Sequence, residues 1–496
     1  MDAERRHDGA EGEPGAPDTV RLVVATALIA VRLDRGRGCP PVVDQLVECL
    51  AAAIRAGRIT AGVRLPSIRA LARRVGVSVH TVVEVYDRLA ALGLTISRPG
   101  AGVFVARQAA VDPLPPAALS APDTADPLGL AEAAIGAREA ALAPGSGFLP
   151  GAWVEDAWQG PALARFHRKL AAALPTAAPP RGHAELRMQI AARLARLGIP
   201  ATADRVLVTH GATQALDLVI RALLAPGDTV LVEDPGFFML FPMLERHGVR
   251  MLPVPRRRDG PDLAAVETAC RQHRPRAFFV QPVLHNPTGW TATPASLHQL
   301  LGLAERHGML LIEDDAYGDM HPDRPVRLAQ LGVGSDCVVH LASFTKVLGP
   351  AIRVGFVLAD AARLEQLLRL KVLSTLTGSG IEELLLAEML ASGQYRRHLD
   401  RLWPRIAAAR ALATRRLAEA GFDVGDGAEA GLFLWAAMPD AEAAATLAMQ
   451  ARRQGVVLAR GDLFRPGCLP SRHFRFNVAR STDPRLVEIL TAARCG

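Results

Sequence analysis

HAELRMQIAARLARLG (residues 183–198), RVLVTH (205–210), TQALDLVIRALL (213–224) and TVLVEDP (229–235) come in close succession and read as helix, strand, helix, strand. The alternation continues downstream in RAFFVQP (276–282), MLLIEDDA (309–316) and CVVHLASF (337–344). Apolar strands that alternate with longer helices are covered on both faces, which predicts a mostly parallel sheet inside an α/β domain. In such sheets ligands collect at the carboxyl ends of the strands, and the polar motifs of this chain fall there.

Those motifs are GATQALDL (211–218), EDPGFF (233–238), HNPTG (285–289), EDDAY (313–317) and SFTKVLGPAIRVGF (343–356), with HFRFNVA (473–479) near the C-terminus. Of the 57 Lys and Arg residues, only Lys169, Lys346 and Lys371 are lysines. A chain this biased toward arginine keeps lysine by chance or where chemistry needs a primary amine, because a guanidinium does not lose its proton to become a nucleophile. Lys346 stands in a strand-end motif. Lys169 and Lys371 lie in helical, arginine-rich surroundings and are expected at the surface. Gly211, Ala212 and Thr213 open a helix directly after a strand, where backbone amides suit a phosphate.

In this order the six motifs resemble fold-type I pyridoxal-phosphate (PLP) enzymes of the aminotransferase class, over about residues 150–496. The resemblance implies PLP as cofactor and a Schiff base on Lys346. It implies that Asp314 pairs with the pyridinium nitrogen, that Tyr317 and Asn286 address the ring oxygen, and that Phe237 stacks on the ring, with Phe238 a competitor for that place. Glu313 and Asp315, beside Asp314, are read as structural. Ser343 and Arg353 are implied to join residues 211–213 around the phosphate. Arg475 is implied to hold the carboxylate of an amino-acid ligand, and no metal is implied. One departure is clear: LPTAAPPRGHAELR (174–187) lacks the Tyr that many members carry there, and Tyr86, Tyr317 and Tyr395 are the only tyrosines.

Upstream the pattern changes. Val43, Leu46, Val47, Leu50 and Ile54 recur at helical steps over residues 42–56, and Gly57 supplies a stop. In LPSIRALARRVGV, Ser67 caps a short helix that Gly76 ends, and Ser78 caps a second, SVHTVVEVYDRLAALG. Residues 94–96 and 103–105, joined by SRPGAG, read as a two-stranded wing. The formal charge of the chain is +7, and residues 35–107 carry all of it, with eleven arginines against four acids. This order resembles the winged helix-turn-helix of GntR-family transcription regulators, over roughly residues 40–107. It implies double-stranded operator DNA as partner, contacted through Ser67, Arg69, Ser78, His80, Thr81, Arg98 and Gly100. Val79 and His80 stand where relatives often carry Arg.

The expected organisation is a partly disordered leader (1–38), a winged-helix domain (39–107), an Ala/Pro-rich linker (108–150) with a short helix over 132–142, and an aminotransferase-like domain (151–496). That last domain divides into a large part (about 200–370) and a smaller α+β part (about 371–496). Six scattered cysteines give neither a disulfide framework nor metal-ligand spacing. The apolar run 22–31 is too short to span a bilayer and could form an initial strand within 22–33. A cytoplasmic protein without membrane partners is expected.

A GntR-type winged helix fused to an aminotransferase-like domain resembles the MocR (GabR-like) subfamily, as do ASGQYRRHLDRL (391–402) and GLFLWAAMP (431–439). The resemblance implies a head-to-tail homodimeric, PLP-dependent regulator. It would sense an amino acid or the vitamer through aldimine exchange at Lys346. The alternative is a catalytically active aminotransferase with a DNA-binding appendage.

Overall fold

The computed structural model describes residues 18–24, 27–34, 36, 39–107, 126–136, 142–173, 177–425 and 429–495. The chain divides into two compact units, with the boundary after residue 119.

In the first unit, β1 (Asp18–Val24) and β2 (Ala27–Leu33) form an antiparallel hairpin ahead of α1 (Val42–Arg55), α2 (Ile68–Val75) and α3 (Val79–Ala91). β3 (Thr95–Arg98) and β4 (Gly102–Val105) make the wing. The leader therefore needs correcting, because residues 18–24 pair with 27–33 as a hairpin rather than residues 22–33 forming one strand in a partly disordered leader. Leu33, at its end, packs into the core with Leu46, Leu50, Leu71 and Val85. Residues 1–17 lie outside the described residues. The caps are as the sequence predicts: Ser67 Oγ accepts from the Ala70 amide (3.3 Å), Ser78 Oγ accepts from the Thr81 amide (3.0 Å), and Gly76 closes α2 at φ 67°.

Tyr86, buried on α3, donates to the Pro66 carbonyl at 2.6 Å and so ties the third helix to the start of the second. Tyr86→Phe leaves that carbonyl without its donor. We expect it to destabilise this unit by about 1–2 kcal/mol, read from denaturant unfolding followed by circular dichroism.

The second unit is built on an eight-stranded sheet: β5 (Val206–Thr209), β6 (Thr229–Asp234), β7 (Arg250–Arg257), β8 (Gly260–Pro261), β9 (Ala277–Val280), β10 (Leu310–Asp314), β11 (Val338–Ser343) and β12 (Gly355–Leu358). The spatial order is β5-β12-β11-β10-β9-β6-β7-β8. The run from β7 through β11 is parallel, whereas β12 runs antiparallel to both neighbours. Both faces of the central strands are buried, which is why they read as largely apolar runs. A smaller antiparallel sheet, β13 (Phe433–Ala437), β14 (Ala459–Arg460) and β15 (His473–Asn477), has the order β13-β15-β14.

Two boundaries differ from expectation. The helix Ala361–Thr375 packs on the helix Gly211–Leu223 of the large part, and Gly380–Ala391 packs on the helices Pro161–Ala173 and Ala184–Arg196 that precede it, so the packing marks no break at residue 371. The described end of the linker is not a spacer. A helix spans Pro127–Gly136 rather than 132–142, and residues 142–150 are laced into the small sheet. The Gly145 amide donates to the Val457 carbonyl, and the Asn477 amide donates to the Pro144 carbonyl. An Ala/Pro-rich composition signals extended backbone, but not whether that backbone finds partners.

Candidate functional site

Ala212, Thr213, Phe237, Asn286, Asp314, Tyr317, Ser343, Lys346, Arg353 and Arg475 line one cavity of about 370 Å³ in the second unit. Residues from five distant motifs meet because the carboxyl ends of the strands of the large sheet share one edge, and Arg475 reaches the cavity from the small antiparallel sheet. Gly211 borders the cavity at φ 72°, where a Cβ would come within 3.1 Å of Arg353 Nη2. Phe237 and Phe238 both reach the cavity, but they differ in setting. Phe238 is buried edge-on against Phe464, while Phe237 is partly exposed and also lies beside Gln281 and Asp314.

Lys346 sits in the short helix Thr345–Leu348 after β11, with its amine 4.0 Å from the Phe148 ring centroid and 5.3 Å from that of Tyr317. Burial, with Arg475 and Arg353 adding positive charge, pushes its ammonium down to about 7 against the pull of Asp314. Asp314 ends β10, and burial raises its carboxyl to about 6 although it accepts from Gln281 Nε2 (2.6 Å) and the Ala316 amide (3.0 Å). Asn286 follows in a loop. Its Oδ1 accepts from Arg475 Nη1 at 2.8 Å, and its buried Nδ2 has no partner.

Arg475, on β15, is fully buried among Phe433, Phe464 and Phe238. It donates to Asn286 Oδ1 and, from Nη2, to the Gly145 carbonyl at 2.5 Å, while its Nε is unpartnered. Burial pushes this guanidinium down to about 10. No carboxylate pairs with it among the described residues.

The neighbours of Asp314 are each held by partners outside the cavity. Glu313 accepts from the Leu328 and Ala329 amides and from His340, and Asp315 pairs with Arg327 at 2.6 Å. Ser343 Oγ accepts from the Thr345 amide, and the Arg353 amide donates to Glu382.

Three features were not anticipated from sequence. The linker segment supplies Gly147 and Phe148, and a Cβ on Gly147 would lie 3.2 Å from the Tyr317 hydroxyl and 3.6 Å from Lys346 Nζ. The glycines of PGSGFLPG were a legible sign of close backbone approach. Gln281 bridges the site: it donates to Asp314, accepts from the Asn286 amide (3.1 Å), and its own amide donates to buried Glu233. A polar residue ending an apolar strand, as Asp314 ends β10, was the available signal.

Lys371 is the third and a correction. It is fully buried rather than at the surface, donating to the Pro180 (2.6 Å) and Val208 (2.9 Å) carbonyls. It thereby clamps the segment that lacks the expected Tyr. Helical, arginine-rich surroundings said nothing of the carbonyls that β5 and the 177–183 loop bring to it. Lys169 is half-exposed and pairs with Glu388 at 2.7 Å.

In the first unit, Ser67, Arg69, Ser78, His80, Arg98 and Gly100 are exposed and Thr81 is half-buried. Ser78 Oγ and Thr81 Oγ1 lie 2.8 Å apart at the start of α3, and Arg98 stacks on Phe104 at 4.8 Å. Arg88 is held by Asp44 and Glu84. Val79, in the first turn of α3, is 51% exposed.

Two family descriptions match: "Bacterial regulatory proteins, gntR family" at residues 42–105 and "Aminotransferase class I and II" at residues 162–492. The transcriptional regulator YdcR of Escherichia coli is 34% identical over 88% of this chain and 94% of its own length. The probable rhizopine catabolism regulatory protein MocR of Rhizobium meliloti is 31% identical over 73% of this chain and 74% of its own. The chain belongs to the MocR type of GntR-family transcription regulators. Among solved structures, the LysN α-aminoadipate aminotransferase of Thermus thermophilus, complexed with N-(5'-phosphopyridoxyl)-L-leucine, superposes with a TM-score of 0.66 at 27% identity. It covers 74% of this chain and 96% of its own. This MocR-type regulator thus joins a DNA-binding winged helix to a fold-type I aminotransferase fold. Among its described residues, no helix is long and apolar enough to cross a membrane.

Proposed function

We propose that this regulator binds pyridoxal phosphate at Lys346 and responds to an amino acid, or to the vitamer itself, held in the same cavity. The observation that carries this reading is Arg475. It is a fully buried guanidinium without a carboxylate among the described residues, in one cavity with the half-buried Lys346 and an Asn286 Nδ2 without a partner. Buried charge is costly unless paired, so the arrangement suits a ligand that brings a carboxylate. Bound there, PLP supplies an aldehyde that takes up amines and a ring that draws electrons. Around it, Asp314 would face the pyridine nitrogen, Asn286 and Tyr317 the ring oxygen and Phe237 a ring face. The helix start at residues 211–213, with Ser343 and Arg353, would take the phosphate.

The test is an absorbance spectrum of the purified protein before and after borohydride, followed by titration with amino acids. A visible band that reduction fixes onto Lys346, and that one amino acid shifts, is expected. The absence of any band after reconstitution would overturn the reading. Turnover of an amino acid to its keto acid would favour the second reading, an active aminotransferase. That reading draws on Asp314, Tyr317, Lys346 and Arg475 sharing one cavity.

Only the neutral amine of Lys346 is a nucleophile. With its ammonium near 7 rather than 10.5, cofactor uptake by the cofactor-free protein should quicken about eightfold from pH 5.5 to 6.5 and level off above about 8. Stopped-flow absorbance reads this, and a rate still climbing steeply at pH 9 would contradict it.

For the DNA-binding unit, Arg69 and Arg98 are read as phosphate contacts, with Ser67 and Gly100 at their side. Ser78, His80, Thr81 and the exposed Val79 form the surface that meets base edges, where an apolar side chain suits a thymine methyl. Arg69→Ala should weaken operator binding and reduce the salt slope by about one. An unchanged slope would remove Arg69 from the contacts. Exposed Leu373, Leu376 and Ile381 support a homodimer, read here as head-to-tail. Light scattering on Leu373→Glu/Leu376→Glu tests it, with loss of the dimer as the expected result.

A further inference from the structure

A second cavity of the same unit, about 450 Å³, is larger than the one holding Lys346. Its apolar lining comes from Leu197, Leu390, Leu399 and Trp403, and its basic lining from Arg193, Arg196, Arg324, Arg327 and Arg396, against one acid, Asp319. Arginine is common in this chain, so its presence alone decides nothing. The distribution of carboxylates does.

Arg193 and the Tyr395 hydroxyl share Asp319. Arg327 is held by Asp315, and Arg396 by Asp400 at 2.9 Å while it stacks on Trp403 at 5.0 Å. Arg196 and Arg324 have no carboxylate within ion-pairing distance among the described residues, and both are exposed. Two guanidiniums without acids therefore stand at the rim of a concavity with an apolar lining and three further arginines.

We propose that this cavity is a second ligand site, for a small organic anion bearing a phosphate or two carboxylates. Guanidinium forks match those groups in bidentate geometry, and the volume lies in the range of roughly 300–1,000 Å³ that small-molecule sites occupy. The two cavities share a wall. Tyr317 lines the first, and the next residue, Gly318, lines the second. A Cβ at Gly318 would collide with the Asp315 carboxylate and approach Arg327 Nη2 to 2.6 Å, so this turn has no slack. An anion that competes with Asp319 for Arg193 acts on the segment 314–319 that carries Asp314 and Tyr317. Occupancy of one cavity then alters affinity in the other, and the effect is reciprocal.

The experiment is isothermal titration of the full-length protein with pyrophosphate and, separately, glutarate at fixed ionic strength. It is run on wild type, Lys346→Ala and Arg196→Ala/Arg324→Ala, with circular dichroism to check folding. One saturable site per chain is expected. Losing two charge-assisted contacts should weaken it at least about tenfold in the double variant, and Lys346→Ala should leave it in place. Retention of full affinity by the double variant, loss in Lys346→Ala, or failure to saturate by about 10 mM would each overturn the proposal. So would a halved molar mass of the double variant, which would make the cavity a contact between copies. None of these readouts needs bound cofactor, so the site can stand or fall apart from the reading of Lys346.

Discussion

Lys346→Ala is expected to abolish the visible absorbance and the borohydride-stable attachment of the cofactor completely, while operator affinity without effector stays within about twofold of wild type. The expectation rests on arithmetic and on place. The other two lysines are committed elsewhere, Lys371 to the Pro180 and Val208 carbonyls and Lys169 to Glu388, so neither amine can substitute. Lys346 lies in the second unit, beyond the boundary at residue 119, whereas the winged helix has its own core around Leu46, Leu71 and Val85. Equal loss of cofactor and of DNA binding in gel-shift assays would mean that the units do not fold independently, and the two-module account would fail.

Arg475→Gln should leave the cofactor band visible but weaken the response to amino acids by at least about a hundredfold, a loss of about 3 kcal/mol, typical of removing one partner of a buried charged pair. Gln can still donate toward Asn286 Oδ1 or the Gly145 carbonyl, which wild-type Arg475 holds at 2.8 and 2.5 Å, so the cavity wall should persist. What it cannot supply is a second parallel donor and a positive charge for a carboxylate. Amines that lack a carboxylate are the control, since their weaker response should be nearly the same in both proteins. A Gln variant that still answers amino acids at wild-type concentrations would remove Arg475 from the ligand site. If the band is lost as well, Arg475 shapes the cavity rather than reading its ligand.

Everything local or periodic was legible along the chain. Ser67, Ser78 and Gly76 announce the ends of α2 and α3 because a hydroxyl side chain or a left-handed glycine satisfies free backbone groups within a few residues. The apolar runs at 277–280 and 309–312 announce buried parallel strands, and the parallel arrangement in turn sets Asp314, Asn286 and Lys346 along one edge. The scarcity of lysine picked out Lys346 before any geometry was available.

Matters that depend on which distant backbone arrives were settled by the packed fold. Lys371 looks like a surface residue until the carbonyls of residues 180 and 208 surround it. Residues 142–150 look like a spacer until the Gly145 carbonyl accepts from Arg475, the 457–459 backbone leaves no room for a Cβ on Gly145, and Gly147 packs closely against the Tyr317 hydroxyl. Gln281 is one polar residue after an apolar strand until it joins Asp314 to Asn286. The arginines of the second cavity come from three separate stretches, and their shortage of acids exists only in three dimensions. Sequence patterns encode what a residue does to its neighbours along the chain, whereas the burial of a charge and the pairing of a carbonyl are settled by long-range packing.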